Sequence, residues 1–252
     1  MTSFCDLTGR VIAVSGAGSG LGRAIAQVLA EAGATVVVND IHPNRVASTV
    51  SLLTELGLDA RGGVADVTDA QQIDHLFTRI EADGLAIDSL VISATPAQRT
   101  VPLDHETWEY NEQMLDVFVK SPLLLTQRAL PQMKAKKFGR IVNITSEVFE
   151  TSEPGSSAYV AAKGAQIGWS RSAAKELAEF GITVNTVAPG FIPVERHRDL
   201  PQSVLDGYLA TVPAGRWGTP EEIGHAVRFL MSDEAAFVSG QTLIVNGGRT
   251  PH

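Results

Sequence analysis

A doubly wound α/β domain built on a parallel sheet is the fold this chain predicts, and three observations predict it. Short apolar, β-branched runs alternate with stretches of helical length along all 252 residues. The runs are continuously apolar instead of alternating, the mark of strands covered on both faces. Glycine and proline gather at the joints between segments.

Residues 11–14, 35–38, 89–92, 140–144, 183–187 and 242–245 read as strands, and 21–32, 43–56, 70–82, 107–136, 157–180 and 220–231 as helices. Asp69 has the N-cap chemistry of a helix start, and Thr219 followed by Pro220 has the cap and first-turn chemistry of another. There is no internal repeat, low-complexity tract or linker. One domain over residues 1–252 follows, with ligands expected at the carboxyl ends of its strands.

An apolar content of 44% is enough for a core. A net charge of −8 gives no attraction to phosphate backbones or anionic lipid, so neither nucleic acid nor a membrane is an expected partner. Cys5 is the sole cysteine, which excludes an intrachain disulfide and fits a reducing cytoplasm. Residues 1–6 lack a basic stretch leading into a long apolar segment, and no run approaches bilayer-spanning length. A soluble cytoplasmic protein is expected. The histidines are scattered, and His197 has no second ligand at a metal spacing, so no metal is inferred.

Gly16, Gly20 and Gly22 lie between the first strand and the first helix, where close backbone approach to a pyrophosphate and a positive helix end coincide. A tight strand-to-helix turn would use similar glycines. Asp40 favours a cofactor, because it ends the next strand about 20 residues on, where a carboxylate reaches a ribose 2′-hydroxyl. It also favours NAD. A 2′-phosphate carries about −1.5 to −2 charges, and at ~4 Å with an effective dielectric near 20 each unit pair costs ~4 kcal/mol before screening. Position 19 is Ser19, and only Arg23 and Arg45 could reach back to offset that penalty.

Tyr159 and Lys163 stand four residues apart and so share a helix face. A free phenol has a pKa near 10, and lowering it to about 7 takes ~4 kcal/mol. One ammonium at ~4 Å supplies about that much at a dielectric of 20. Tyr159 would then be a general acid or base near neutral pH. Ser146, just past a strand end, can donate to a substrate oxygen, although Thr145 and Ser146 could instead cap a turn.

In these motifs the chain resembles the short-chain dehydrogenase/reductase family over nearly its whole length. The motifs are the glycine loop at 15–22, Asp66-Val67, Ser146, the Tyr159 and Lys163 pair, Pro189-Gly190 and Gly247-Gly248, all in family order. The resemblance implies a Rossmann sheet of seven strands and a nicotinamide cofactor. It implies cofactor contacts from Gly16, Ser19, Gly20, Leu21, Gly22, Asp66, Val67, Ala94, Pro189, Gly190 and Ile192, with Tyr159 and Lys163 at the nicotinamide and its ribose. It further implies homotetramers or homodimers joined through 107–136 and 157–180, and a mobile substrate lid at about 191–212.

Three positions depart from the family. The fourth strand, usually ending Asn-Asn-Ala-Gly, reads Ile92-Ser93-Ala94-Thr95, so bonds that brace the sheet must be replaced. The helical Asn that holds a water beside the lysine aligns with Phe118, which cannot. Asn111, two helical turns earlier, is ~10 Å away along the axis and a poor substitute. Val194 stands where a Thr usually bonds the nicotinamide amide.

In the lid, Arg196, His197 and Arg198 could meet an anionic substrate group, or form a solvated surface. Glu147 is a candidate for the pocket mouth. The tryptophans read as packing residues. The function expected is hydride transfer between NAD(H) and a secondary alcohol or ketone, acting on a small molecule. The alternatives are an NAD-binding sensor or scaffold with little catalysis, and redox-neutral chemistry on the same fold. The latter expects Arg in place of Lys163 and a dismantled glycine loop.

Overall fold

The computed structural model describes residues 4–251. Seven strands form one sheet in the order β3-β2-β1-β4-β5-β6-β7, every neighbouring pair parallel. They are β1 (Val11–Ser15), β2 (Thr35–Asp40), β3 (Ala60–Val64), β4 (Ser89–Ile92), β5 (Gly139–Ile144), β6 (Ile182–Pro189) and β7 (Thr242–Val245). Chain order reverses between β1 and β4, which opens the crevice where such sheets bind ligands.

Alternate residues of β1 serve opposite cores. Ile12 and Val14 pack with Ile25 and Leu29 of α1 (Gly20–Glu31), Leu53 of α2 (Pro43–Glu55) and Val227 of α9 (Pro220–Met231). Val11 and Ala13 belong to the other core, with Phe77 and Ile80 of α3 (Ala70–Ala82), Met133 of α5 (Ser121–Lys136) and Leu177 of α7 (Ser157–Leu177). Two buried faces explain why the strands read as unbroken apolar runs. Asp69 caps α3 by accepting from the Gln71 and Gln72 amides, and Thr219 with Glu222 forms a reciprocal cap on α9.

β3 did not stand out in the sequence because Ala60-Arg61-Gly62-Gly63-Val64 has no β-branched run. Its glycines answer to packing: a Cβ on Gly63 would lie 2.8 Å from Leu76, and one on Gly62 3.0 Å from Val46. Helices α2 and α3 therefore close tightly over this edge strand.

The helix expected over 107–136 is divided. α4 (Trp108–Leu115) runs into a π-helical turn at Asp116–Lys120 before α5 begins. Pro122 has no amide hydrogen to return to the carbonyl four residues back, Phe118. The wider turn accommodates that gap, and Ser121 Oγ donates to the Val117 carbonyl at 2.6 Å. Phe118 lies inside the turn and packs with Tyr110, Met114, Ala158 and Ala162.

The missing family brace at the end of β4 has a replacement. Ser15 Oγ accepts from the Ser93 amide at 3.0 Å and the Ala94 amide at 3.2 Å, tying β1 to β4. On the other side of β1, Asn39 Nδ2 donates to the carbonyls of Gly63 and Ala65.

Candidate active site

The carboxyl ends of β1, β4, β5 and β6 surround the crevice. The glycine loop is compact: Gly16 and Gly20 have φ of 68° and 53°, and a Cβ on Gly22 would lie 2.2 Å from the Gly16 carbonyl oxygen. Ala94 adjoins Gly16, whose Cβ would meet its Cα at 2.8 Å. Ser19 precedes α1 in extended conformation and makes no side-chain cap, and the first turn of α1 carries no acidic residue. The leading amides of α1 thus lack a side-chain cap at the place expected to seat a pyrophosphate. These features fit a dinucleotide.

Asp40 is only 8% exposed and accepts from the His42 amide at 3.0 Å. Its other carboxylate oxygen stands 2.6 Å from where a Gly18 Cβ would be, and the Arg45 Cβ is equally near that point. Both a carboxylate and a basic residue therefore flank the loop. Asp66 builds the turn into α3, accepting from the amide and hydroxyl of Thr68 at 2.8 Å, while Val67 is buried.

The segment after β6 covers the loop. Pro189 ends β6, and Gly190 is crowded, since a Cβ there would lie 2.7 Å from the Tyr208 hydroxyl. Ile192 is buried, Val194 lies 3.5 Å from the Cβ position of Gly20, and Glu195 pairs with Arg23 of α1. His197 packs against Phe191 with ring centroids 4.4 Å apart and the rings tilted by 34°, and Arg196 Nε lies 3.0 Å from its Nε2. Burial, and then the Arg196 charge, lower the His197 pKa to about 4.

Tyr159 projects from the first turn of α7, and the side chains of Ser146 and Gln98 lie close enough to its hydroxyl to favour the phenolate. Ser146 Oγ also accepts from the Val148 amide at 3.2 Å, as the first turn of α6 (Val148–Thr151) begins. Arg196 is close enough to act electrostatically on both Tyr159 and Lys163. The expected lowering of the phenol is not what the protein alone gives. Burial pushes the Tyr159 pKa up, with the nearby Ser146 side chain, the Arg196 charge and the Gln98 side chain opposing it. Lys163 is not among the leading influences on it.

The reason is where Lys163 points. It is 3% exposed, and its Nζ donates to the Ile144 carbonyl at 2.8 Å and to Gln166 Oε1 at 3.0 Å. Nζ lies 3.6 Å from the Phe118 ring centroid and 5.6 Å from that of Tyr159, whose rings meet edge to face. Burial, then the Arg196 charge, push the Lys163 ammonium well below the ordinary lysine value. Phe118 thus replaces a water-holding side chain with a π face.

Sequence reasoning missed Gln98, which comes from the loop after β4, and a buried clasp around Glu147. Glu147 is 4% exposed and so does not line an open mouth. It accepts from the Tyr208 hydroxyl at 2.6 Å, Asn246 Nδ2 at 2.8 Å and Arg249 at 2.8 Å. Tyr208, on α8 (Gln202–Leu209), also accepts from the Phe191 amide at 2.7 Å and stacks on Trp217. Burial, then the bond to Glu147, push the Tyr208 phenol up. A cavity of about 110 Å³ lies behind Gly190, walled by Phe191, Tyr208, Trp217 and Val245; it does not reach Ser146, Tyr159 or Lys163.

Residues 16–250 match a family model described as enoyl-(acyl carrier protein) reductase. The 3-oxoacyl-[acyl-carrier-protein] reductase FabG of Escherichia coli strain K12 is 39% identical over 243 residues, covering 96% of this chain and 98% of that protein. Among solved structures, a gluconate 5-dehydrogenase from Burkholderia cenocepacia, in complex with NADP and tartrate, superposes with a TM-score of 0.91 at 34% identity, covering 98% of this chain and 97% of the other. A 3-oxoacyl (acyl-carrier-protein) reductase from Agrobacterium tumefaciens C58 with NADP bound gives 0.90 at 33% identity, covering 98% and 97%.

Proposed function

The chain belongs to the short-chain dehydrogenase/reductase family and is an oxidoreductase of CH–OH and C=O groups, and from that premise we propose that Tyr159 is the acid or base of its hydride transfer. The observation that carries this reading is the gathering of Tyr159 and Lys163 on one face of α7, with the Lys163 Nζ 5.6 Å from the Tyr159 ring centroid and Ser146 beside the Tyr159 hydroxyl, at the carboxyl ends of the strands. A bound nicotinamide supplies or accepts the hydride. Tyr159 gives its proton to the substrate oxygen in reduction and takes one in oxidation. Ser146 orients that oxygen and stabilises the charge developing on it, the Arg196 charge favours the phenolate, and Lys163 adds to that effect only while it is protonated, from its inward seat.

The test is a panel of secondary alcohols and ketones followed by NADH absorbance in both directions. Tyr159→Phe is expected to lower kcat by about 10²–10⁴-fold while NADH affinity stays within a few-fold. A variant as fast as the parent on its best substrate would remove Tyr159 from the reaction.

NAD is the cofactor we propose. Asp40, with its carboxylate against Gly18, supports it; the solved relatives are described with NADP, and Arg45 stands beside the same loop. For substrate, Arg196 supports a hydroxy or keto acid. Its guanidinium makes no ion pair with a carboxylate among the described residues, whereas Glu147 is already matched by Arg249, and Glu195 by Arg23. Substrates that bear a carboxylate should be turned over more efficiently than their amides.

The inward seat of Lys163 favours one second reading, an NADH-binding sensor with little catalysis. Tight NADH binding with no turnover across the panel would select it. We also propose a cytoplasmic dimer or tetramer formed through α4, α5 and α7, which light scattering would test.

A further inference from the structure

Lys163 is the most deeply placed cation of the site, and no carboxylate meets it. An ammonium has three N–H bonds. Here one is directed to the Ile144 carbonyl at 2.8 Å, one to Gln166 Oε1 at 3.0 Å, and the face of Phe118 lies 3.6 Å from the nitrogen. Nothing is left over for the Tyr159 hydroxyl. The charge of this lysine therefore reaches the phenol from a seat that the protein interior chooses, and Gln166 supplies the one side-chain acceptor in that seat.

The orientation of Gln166 is dictated by its neighbours. Ser170 Oγ spends its single proton on the Gln166 carbonyl at 2.7 Å, so it accepts from Asn143 Nδ2 at 2.9 Å. That turns Asn143 Oδ1 towards Gln166, where it receives Gln166 Nε2 at 3.4 Å. With its amide nitrogen so engaged, Gln166 has only its oxygen to present to Lys163. All three members of this ring are buried, on β5 and α7, with no water-accessible alternative.

We propose that Gln166, locked by Asn143 and Ser170, is a positioning residue that seats the Lys163 nitrogen against Phe118 and thereby sets how its charge acts on Tyr159. It neither touches the reacting atoms nor carries a proton. Lys163 is faced by Tyr159 and Gln166 on α7, by the Ile144 carbonyl of β5, by Phe118 in the π-helical turn and by Arg196 after β6. Arg196 is the one charged group acting on it, and its sign is the same. The inference refines the role given to Lys163 under the hydride-transfer reading, yet the seat can be tested without any turnover.

The experiment is NMR titration of the lysine side chains in the full-length protein, with and without saturating NADH. The Lys163 signal is assigned by its loss in Lys163→Arg. Gln166→Met, of similar length but without the acceptor, is expected to lower the Lys163 transition by about one pH unit, and Gln166→Glu to raise it by about as much. Ser170→Ala, which frees the ring, should shift it in the Met direction but less. If the substrate panel yields turnover, the pH profile of kcat/KM should move in the same order. Should Gln166→Met fail to fold, Gln166→Glu decides, because it keeps an acceptor at the same place. Variants that fold and titrate within about 0.2 pH units of the parent would overturn the proposal. A parent protein that transfers no hydride would instead sink the reaction and leave the titration result standing.

Discussion

A methyl group on Gly22 would sit 2.2 Å from the Gly16 carbonyl oxygen, and neither atom belongs to a side chain that can swing away. Gly22→Ala must therefore displace the loop from α1, costing about 1–3 kcal/mol as in other overpacked sites. Thermal unfolding should record that loss, together with weaker NADH binding; an unchanged midpoint would mean the loop is looser than it looks. Asp40 supports a second prediction. Its carboxylate and Arg45 crowd the same glycine, Gly18, so Asp40→Ala removes the repulsion of a 2′-phosphate while keeping the cation. The ratio of kcat/KM for NADH over NADPH should fall by at least about tenfold, the equivalent of ~1.4 kcal/mol. These residues were legible because their chemistry depends on local spacing. Gln98, Tyr208, Asn246 and Arg249 were not. The clasp on Glu147 joins residues 61, 99 and 102 positions away, and no local pattern announces such a meeting.

Among the elements, those with unbroken apolar runs were the readable ones. β4 and β7 fall at 89–92 and 242–245 as expected, and α9 at 220–231. β3 escaped because two glycines serve α2 and α3 instead of the strand itself. The π-helical turn escaped because 107–136 reads as one continuous helix, and nothing in its local pattern marks the extra residue that Pro122 calls for. The segment expected to be a lid could be placed after β6, but the contacts that hold it in the fold could not be read from the sequence. It is held by the Glu147–Tyr208 bond, the Glu195–Arg23 pair and the neutral ring of His197 against Phe191. That ring gives the segment a pH dependence of definite sign. Its pKa in the folded protein, about 4, lies below the ordinary 6.5, so the ring takes up a proton more readily when this segment is released than when it is packed. The stability contributed by the neutral ring is complete above pH 6.5 and is lost as pH falls from there towards 4. Hydrogen exchange in residues 191–212 should accelerate across that window relative to the sheet, and His197→Phe should flatten the response. Acceleration of equal size in the variant would assign the effect to another group.

At the scale of the whole molecule, the crevice lies where the β3-β2-β1 half of the sheet meets the β4-to-β7 half. The residues expected to hold the dinucleotide come from both: the glycine loop and Asp40 from the first, Lys163, Pro189 and Gly190 from the second. A ligand so placed joins the two halves and stabilises the chain as a unit. At a free concentration of a hundred times Kd, binding contributes about 2.7 kcal/mol. For a domain of this size each kcal/mol moves Tm by about 2–4 °C. NADH should therefore raise Tm by about 5–10 °C, and NADPH at equal concentration by clearly less. Asp40→Ala should close that gap; because Asp40 forms no ion pair among the described residues but accepts from the His42 amide, the unliganded Tm should fall only by the few degrees that one such bond contributes. A larger rise with NADPH in the parent would reverse the cofactor assignment, and no rise with either would show that the glycine loop is a strand-to-helix turn and nothing more.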